Sequence, residues 1–131
     1  MDILAEQMYR ENIMDYYKNP RNKGKVKDAD IEFRDNNPLC GDEIEITVKL
    51  DKDKKIAEIK FDGKGCAISQ AAASMLTEKI LGMKLADVKK IKKDEVLEML
   101  GIPLQPIRVK CALLGFKVME GGIFLYESRK R

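Results

Sequence analysis

Residues 43–50, Glu-Ile-Glu-Ile-Thr-Val-Lys-Leu, alternate apolar and polar side chains with a period of two. That period suits a strand with one buried face and does not suit a helical stripe. Ile44, Ile46, Val48 and Leu50 make one face, and Glu43, Glu45, Thr47 and Lys49 the other. The next run, Lys54 to Asp62, sets Ala57, Ile59 and Phe61 against Glu58 and Lys60. Asp51-Lys52-Asp53 between them has no apolar residue, so the two runs are predicted to pair as an antiparallel hairpin. A hairpin apolar on one side needs a cover there and leaves the other side wet. Ile31-Glu32-Phe33-Arg34 alternates too and adds a short strand. The fold class expected is therefore α+β: a small antiparallel sheet of about three strands, one face covered by helices.

The helices come from the flanking segments. Asp2 to Lys18 carries Leu4, Met8 and Ile13, with Tyr16 or Tyr17, at roughly the three-four spacing of one apolar stripe. Asn19-Pro20 ends it, because a residue before proline is pushed out of the α region. Arg21-Asn22-Lys23-Gly24 is then a polar loop. Ala67 to Leu81 is built from good helix formers, with Ile68, Ala72, Met75, Leu76 and Ile80 toward the core and Gly82 as its stop. The small residues Ala71-Ala72-Ala73-Ser74 would let this helix lie close to the sheet, although a plain surface helix would read the same. Leu85, Val88 and Ile91 fit a short stripe under a run of lysines that reads as a solvated face, with docking of an acidic partner as the alternative. Asp94 to Leu100 is a further helix, with Asp94 as N-cap and Gly101 and Pro103 closing it. Residues 103–109 read as loop, and Cys111 opens a last helix with Leu113, Leu114, Val118 and Met119. Gly121-Gly122 is expected to break that helix, leaving 121–131 as a flexible, basic tail.

Three cysteines, Cys40, Cys66 and Cys111, and no histidine are the chain's stock of soft metal ligands. Each falls at a predicted junction between elements, where a rigid scaffold can present reactive groups. Gly41 and Gly65 sit beside two of them, and Asp42 adds a carboxylate two residues after Cys40. Cys40 precedes the first hairpin strand and Cys66 follows the second, so an antiparallel hairpin brings those two ends together. Cys66 also lies at a helix N-terminus, where unpaired N–H groups favour a thiolate. A metal or iron–sulfur site at one end of the sheet is the reading these positions favour. The competing reading is that free cysteines serve as small core hydrophobes. A zinc finger is disfavoured by the lack of any C-x-x-C pair, and a disulfide framework by the odd count.

Bulk properties narrow the classes. The 131 residues suffice for one domain, 1–131, with a core of its own. A net charge of +3 is too small to imply nucleic acid. No apolar run approaches the ~20 residues a bilayer span requires, and no signal-peptide pattern is visible, so the cytoplasm, where thiols stay reduced, is the expected location.

Taken jointly, several segments resemble the U-type iron–sulfur cluster assembly scaffolds, the family of the Isc- and Nif-type scaffold proteins and their Suf-type relative. They are Ile13-Met14-Asp15-Tyr16-Tyr17-Lys18-Asn19-Pro20-Arg21-Asn22, Asn37-Pro38-Leu39-Cys40-Gly41-Asp42, Gly65-Cys66-Ala67-Ile68-Ser69 and Val109-Lys110-Cys111. The resemblance covers the chain to about Glu120. It implies that Cys40, Asp42, Cys66 and Cys111 surround one exposed metal site. It further implies a carrier, not an enzyme, on which a cluster is built from iron and from sulfur supplied by a cysteine desulfurase, then passed to apo iron–sulfur acceptor proteins. A [2Fe-2S] cluster is the cargo expected, with zinc as an alternative resting metal, and a monomer or weak dimer as the assembly. No membrane or nucleic-acid partner is expected.

Two departures temper the match. Many Isc-type members have histidine before the third cysteine; here it is Lys110, which when protonated cannot coordinate and is expected either to lower the pKa of the neighbouring thiols or simply to face solvent. Arg108-Val109-Lys110-Cys111 looks more like the Suf-type relative, a zinc-binding sulfur relay in which a cysteine such as Cys111 takes up a persulfide. The segment from Cys66 to Cys111 is nonetheless short for the insertion that relative carries. The Isc-type loop read by a dedicated Hsp70 chaperone has a Leu-Pro-Pro-Val-Lys form, from which Leu104-Gln105-Pro106-Ile107-Arg108 departs. A dedicated chaperone is accordingly not expected.

Overall fold

In the computed structural model, which describes residues 2–129, the element order is α1 (Ile3–Lys18), β1 (Ile31–Asn37), β2 (Asp42–Leu50), β3 (Ile56–Lys64), α2 (Ala67–Ile80), α3 (Leu85–Val88), α4 (Lys93–Leu100), α5 (Pro106–Ala112) and α6 (Leu114–Arg129). The strands form one antiparallel sheet in the order β1-β2-β3. This is the α+β architecture the alternating runs imply. Ile44, Ile46, Val48, Ile59 and Phe61 line the face that α2 and α6 cover, and the main core lies between them. A second cluster, Ile13, Ala71, Ala72, Met75, Leu100 and Ala112, joins α1, α2, α4 and α5. Residues 69–77 of α2 are all buried, since helices surround it as well as the sheet. No helix among the described residues is long and apolar enough to cross a membrane.

Several local expectations need correction. β1 runs to Asn37, beyond Arg34, so a tight turn over 38–41 joins β1 to β2 and Cys40 sits in that turn. The β2–β3 register shifts between Lys49 and Leu50, pairing Lys49 with Glu58 and Leu50 with Ile56. That bulge turns Ile56 into the core and Ala57 out to solvent, because an extra residue on one strand reverses the alternation. The outer face is not wholly wet. Thr47 is buried there and its Oγ1 accepts from Val26 N at 2.8 Å, where the segment after α1 crosses the sheet. From α1, Ile13 and half-buried Tyr16 join the second cluster. Leu4 is 68% and Met8 63% exposed, since α2 and α4 meet only part of the helix. Lys92, not Asp94, is the N-cap of α4.

The expected break at Gly121-Gly122 does not occur; both lie inside α6. Their value there is space. A Cβ on Gly121 would stand 2.6 Å from Phe33 Cε2, and one on Gly122 2.8 Å from Ile31 Cγ2. Bare backbone thus lets α6 rest directly on β1, and tertiary contact outweighs the ~1 kcal/mol that glycine costs a helix. Of the tail 121–131, residues through Arg129 are helix, and the last two lie outside the described residues. Gly121→Ala and Gly122→Ala are each expected to lower stability by about 1–3 kcal/mol through overpacking. Urea unfolding measures this; a gain in stability would show that helix propensity, not the α6–β1 approach, governs these positions.

Candidate metal centre

The site lies at the end of the sheet where the β1–β2 turn, the start of α2 and the end of α5 meet. Its geometry follows from the strand period. Asp42, Ile44, Ile46 and Val48 share the inward face of β2, so the alternation that builds the core also places the Asp42 carboxylate inside, fully buried. Asn37 is cross-strand partner to Asp42 and ends the inward face of β1. Asn37 O closes the turn by accepting from Cys40 N at 3.2 Å and Gly41 N at 2.9 Å.

On the opposite strand, Lys64 pairs with Glu43, which brings Gly65 and Cys66 alongside Asp42. Asp42 Oδ1 accepts from Cys66 N at 2.8 Å, and Asp42 Oδ2 lies 3.7 Å from Cys66 Sγ. Cys66 is the N-cap of α2, its sulfur accepting from Ser69 N at 3.5 Å, while Ser69 Oγ returns a bond to Cys66 O. Cysteine here performs the capping that serine or aspartate usually provides.

Cys111 is the partner that sequence separation concealed. It is a buried residue near the end of α5, not the opening residue of the last helix, and residues 106–109, read as loop, form the start of α5. Its Sγ is 2.8 Å from Cys40 Sγ and 3.4 Å from Ile107 O. The ligand atoms of Cys40, Asp42 and Cys111 all lie within 4.8 Å of one another. Cys66 adjoins this trio through Asp42. All four groups singled out from sequence therefore meet at one end of the fold. Burial pushes the Cys111 thiol well above its ordinary value of 9.0. Its hydrogen bonds to Cys40 and Asp42 and the neighbouring Cys66 and Asp42 charges push the same way. A bound cation reverses that logic, because a coordinating thiol is deprotonated outright.

Two contributors escaped the sequence reading. Asn37 Nδ2 donates toward Cys40 Sγ at 3.6 Å and Cys111 Sγ at 3.9 Å, tying the turn to α5. The cation facing the thiols is Arg108, not Lys110. Arg108 is raised from its ordinary value first by the charge of Cys66, then by its hydrogen bond to Cys111. Positions 108 and 111 are three apart on a helix and share a face. Reading 103–109 as loop conceals that shared face. Lys110 is exposed and points into a neighbouring cleft.

Comparisons with known proteins find relatives along most of the chain. The model of the NifU-like N-terminal domain matches residues 8–131. The chain is 40% identical to the zinc-dependent sulfurtransferase SufU of Bacillus subtilis, over 90% of each chain. It is 39% identical to the iron–sulfur cluster assembly scaffold protein IscU 1 of Archaeoglobus fulgidus, over 91% of this chain and 76% of that one. Among solved structures, a putative SUF-system scaffold from Fervidobacterium islandicum superposes with a TM-score of 0.74 at 32% identity, covering 91% of this chain and 98% of the other. A NifU-like N-terminal protein from Brucella abortus, at 19% identity and a TM-score of 0.75, covers 97% of this chain and 99% of its own and shares the fold. With the family model running almost end to end and close relatives along nine-tenths of its length, the chain belongs to the NifU-like N-terminal domain family, that of IscU and SufU.

Proposed function

We propose that the protein is a carrier on which an iron–sulfur cluster, a [2Fe-2S] unit, is assembled and then handed to apo-proteins, with Cys40, Asp42, Cys66 and Cys111 as its protein ligands. The observation that carries this reading is the meeting of Cys40, Asp42 and Cys111 within 4.8 Å, with Cys66 joined through Asp42. A [2Fe-2S] cluster takes four protein ligands, two per iron, and thiolates are the usual ones. Three thiolates and one carboxylate complete that number with one weaker donor, since a hard oxygen suits iron–sulfide less well than a thiolate does. A protein that must release its cargo benefits from one displaceable ligand. Iron would come from solution and sulfur from a cysteine desulfurase, the partner this reading requires besides the acceptor.

A second reading is favoured by Arg108, a cation on which the Cys66 and Cys111 thiols act, and by the similarity to a zinc-dependent sulfurtransferase. The same four groups suit tetrahedral zinc. In this reading one thiolate, that of Cys111, attacks the outer sulfur of a desulfurase persulfide. The donor's S–S bond breaks, its thiolate is restored, and the new persulfide anion lies beside Arg108.

Anaerobic reconstitution with iron and sulfide separates the two. The carrier reading expects equal iron and sulfide content, cluster absorption bands, and movement of those bands to an added apo-ferredoxin. Cys40→Ser, Cys66→Ser and Cys111→Ser should each abolish stable assembly. Protein that excludes iron, retains one zinc per chain and gains one sulfur in mass after incubation with desulfurase and cysteine would establish the relay instead.

A further inference from the structure

Beside the thiols lies a cleft of about 460 Å³ that neither reading uses. One wall is the β1–β2 turn, where Asn37 lies between the cleft and the sulfurs of Cys40 and Cys111. Leu39, 65% exposed, forms an apolar lip. The opposite side carries Lys93 from the start of α4, Lys110 from α5 and Lys117 from α6, against the single carboxylate of Glu120. None of the three lysines has an ion-pair partner among the described residues. Lys89, elsewhere on the same side of the fold, is paired with Glu127 at 2.9 Å. Surface lysines from three separate helices, unpaired and converging on a cleft with an apolar lip, form a field that attracts acidic groups and steers their approach.

We infer that this cleft docks an acidic, partly apolar segment of the protein that exchanges sulfur or metal with the thiols. Carboxylates of the segment meet Lys93, Lys110 and Lys117, and an apolar side chain covers Leu39. The partner's own cysteine is then held at the turn bearing Cys40. A folded protein is favoured over a nucleic acid because the cleft has no exposed aromatic platform for bases and because passing sulfur to or from a cysteine as a persulfide needs a thiol on the partner. The inference rests on the proposed exchange function for the partner's identity, but docking itself is measurable without any cargo.

The test uses the metal-free, reduced full chain and a fluorescein-labelled decapeptide of alternating glutamate and leucine, followed by anisotropy at low and high salt. The parent is expected to bind with an affinity that falls as salt rises. The pair Lys93→Glu with Lys117→Glu, neither of them a proposed ligand, is expected to weaken binding by about tenfold, as reversing two surface charges allows. The control pair Lys27→Glu with Lys52→Glu makes the same net-charge change on exposed lysines away from the cleft. It should retain affinity within about threefold. Equal loss in both pairs, no binding by the parent, or equally tight binding of a single-stranded DNA decamer at the cleft would overturn the proposal. Iron, sulfide and zinc uptake of both pairs, measured separately, should match the parent. Failure of the parent to take up either metal would instead refute the proposed function and leave the docking result standing.

Discussion

Gly65→Ala is expected to lower stability by about 3 kcal/mol and to weaken metal binding by at least tenfold. Two physical causes add. Gly65 has φ +146°, where an L side chain is strained. Its Cβ would also overlap Asp42 Oδ1 and press on the Asp42 backbone, with Asp42 Cα only 2.9 Å away. Relief requires Asp42 to move, which breaks its bond from Cys66 N and displaces Cys66 with the first turn of α2. One methyl group thereby disturbs two of the four proposed ligands. Gly82→Ala is the control, because Gly82 also has positive φ, at +86°, but open space around the missing Cβ. It should show the stability loss of backbone strain alone and bind metal as the parent does. Urea unfolding of the metal-free protein and a zinc titration against a chromophoric chelator supply both readouts. Zinc affinity equal to the parent's in Gly65→Ala would mean the carboxylate is not part of the site.

The second large effect concerns Asp42 itself, whose two oxygens have separate duties. Oδ1 is committed to Cys66 N, and Oδ2 is turned toward the sulfurs. Asp42→Ala removes both, leaving a half-buried N–H without its acceptor at a cost of about 1 kcal/mol. Asp42→Asn keeps a carbonyl oxygen for Cys66 N and removes the charge. Stability is therefore expected to fall in the alanine variant and to return largely in the asparagine variant. Cluster transfer should not return with it. Both variants are expected to assemble a cluster on three thiolates and to pass it to apo-ferredoxin several-fold more slowly than the parent. The reason is that the carboxylate is the donor an incoming thiolate displaces. Circular dichroism of the receiving ferredoxin follows the transfer. Parent-like rates in Asp42→Asn would reduce Asp42 to a capping group for Cys66.

Much of this protein is set locally. The period-two runs determine the sheet, its buried face and the antiparallel hairpin, because a strand apolar on one side has only one way to bury that side. Extending the same period back from Ile44 also fixes Asp42 as inward, and the hairpin unites it with Cys66. The start of α2 at Ala67 was equally legible, since good helix formers follow a glycine-marked junction. Tertiary packing decided the remainder. Gly121 and Gly122 read as a break by propensity, yet become the contact surface on which α6 meets Phe33 and Ile31. Ala57 lost its inward place to Ile56 through a bulge that no alternation rule signals. Residues 106–109 look like loop until α5 packs on α2, and only then do Cys111 and Arg108 share a face toward Cys40 and Cys66. Seventy-one residues separate Cys40 from Cys111, and no local pattern spans that distance. Their encounter exists because helices folded over the apolar face of the sheet carry α5 to the end where the turn projects.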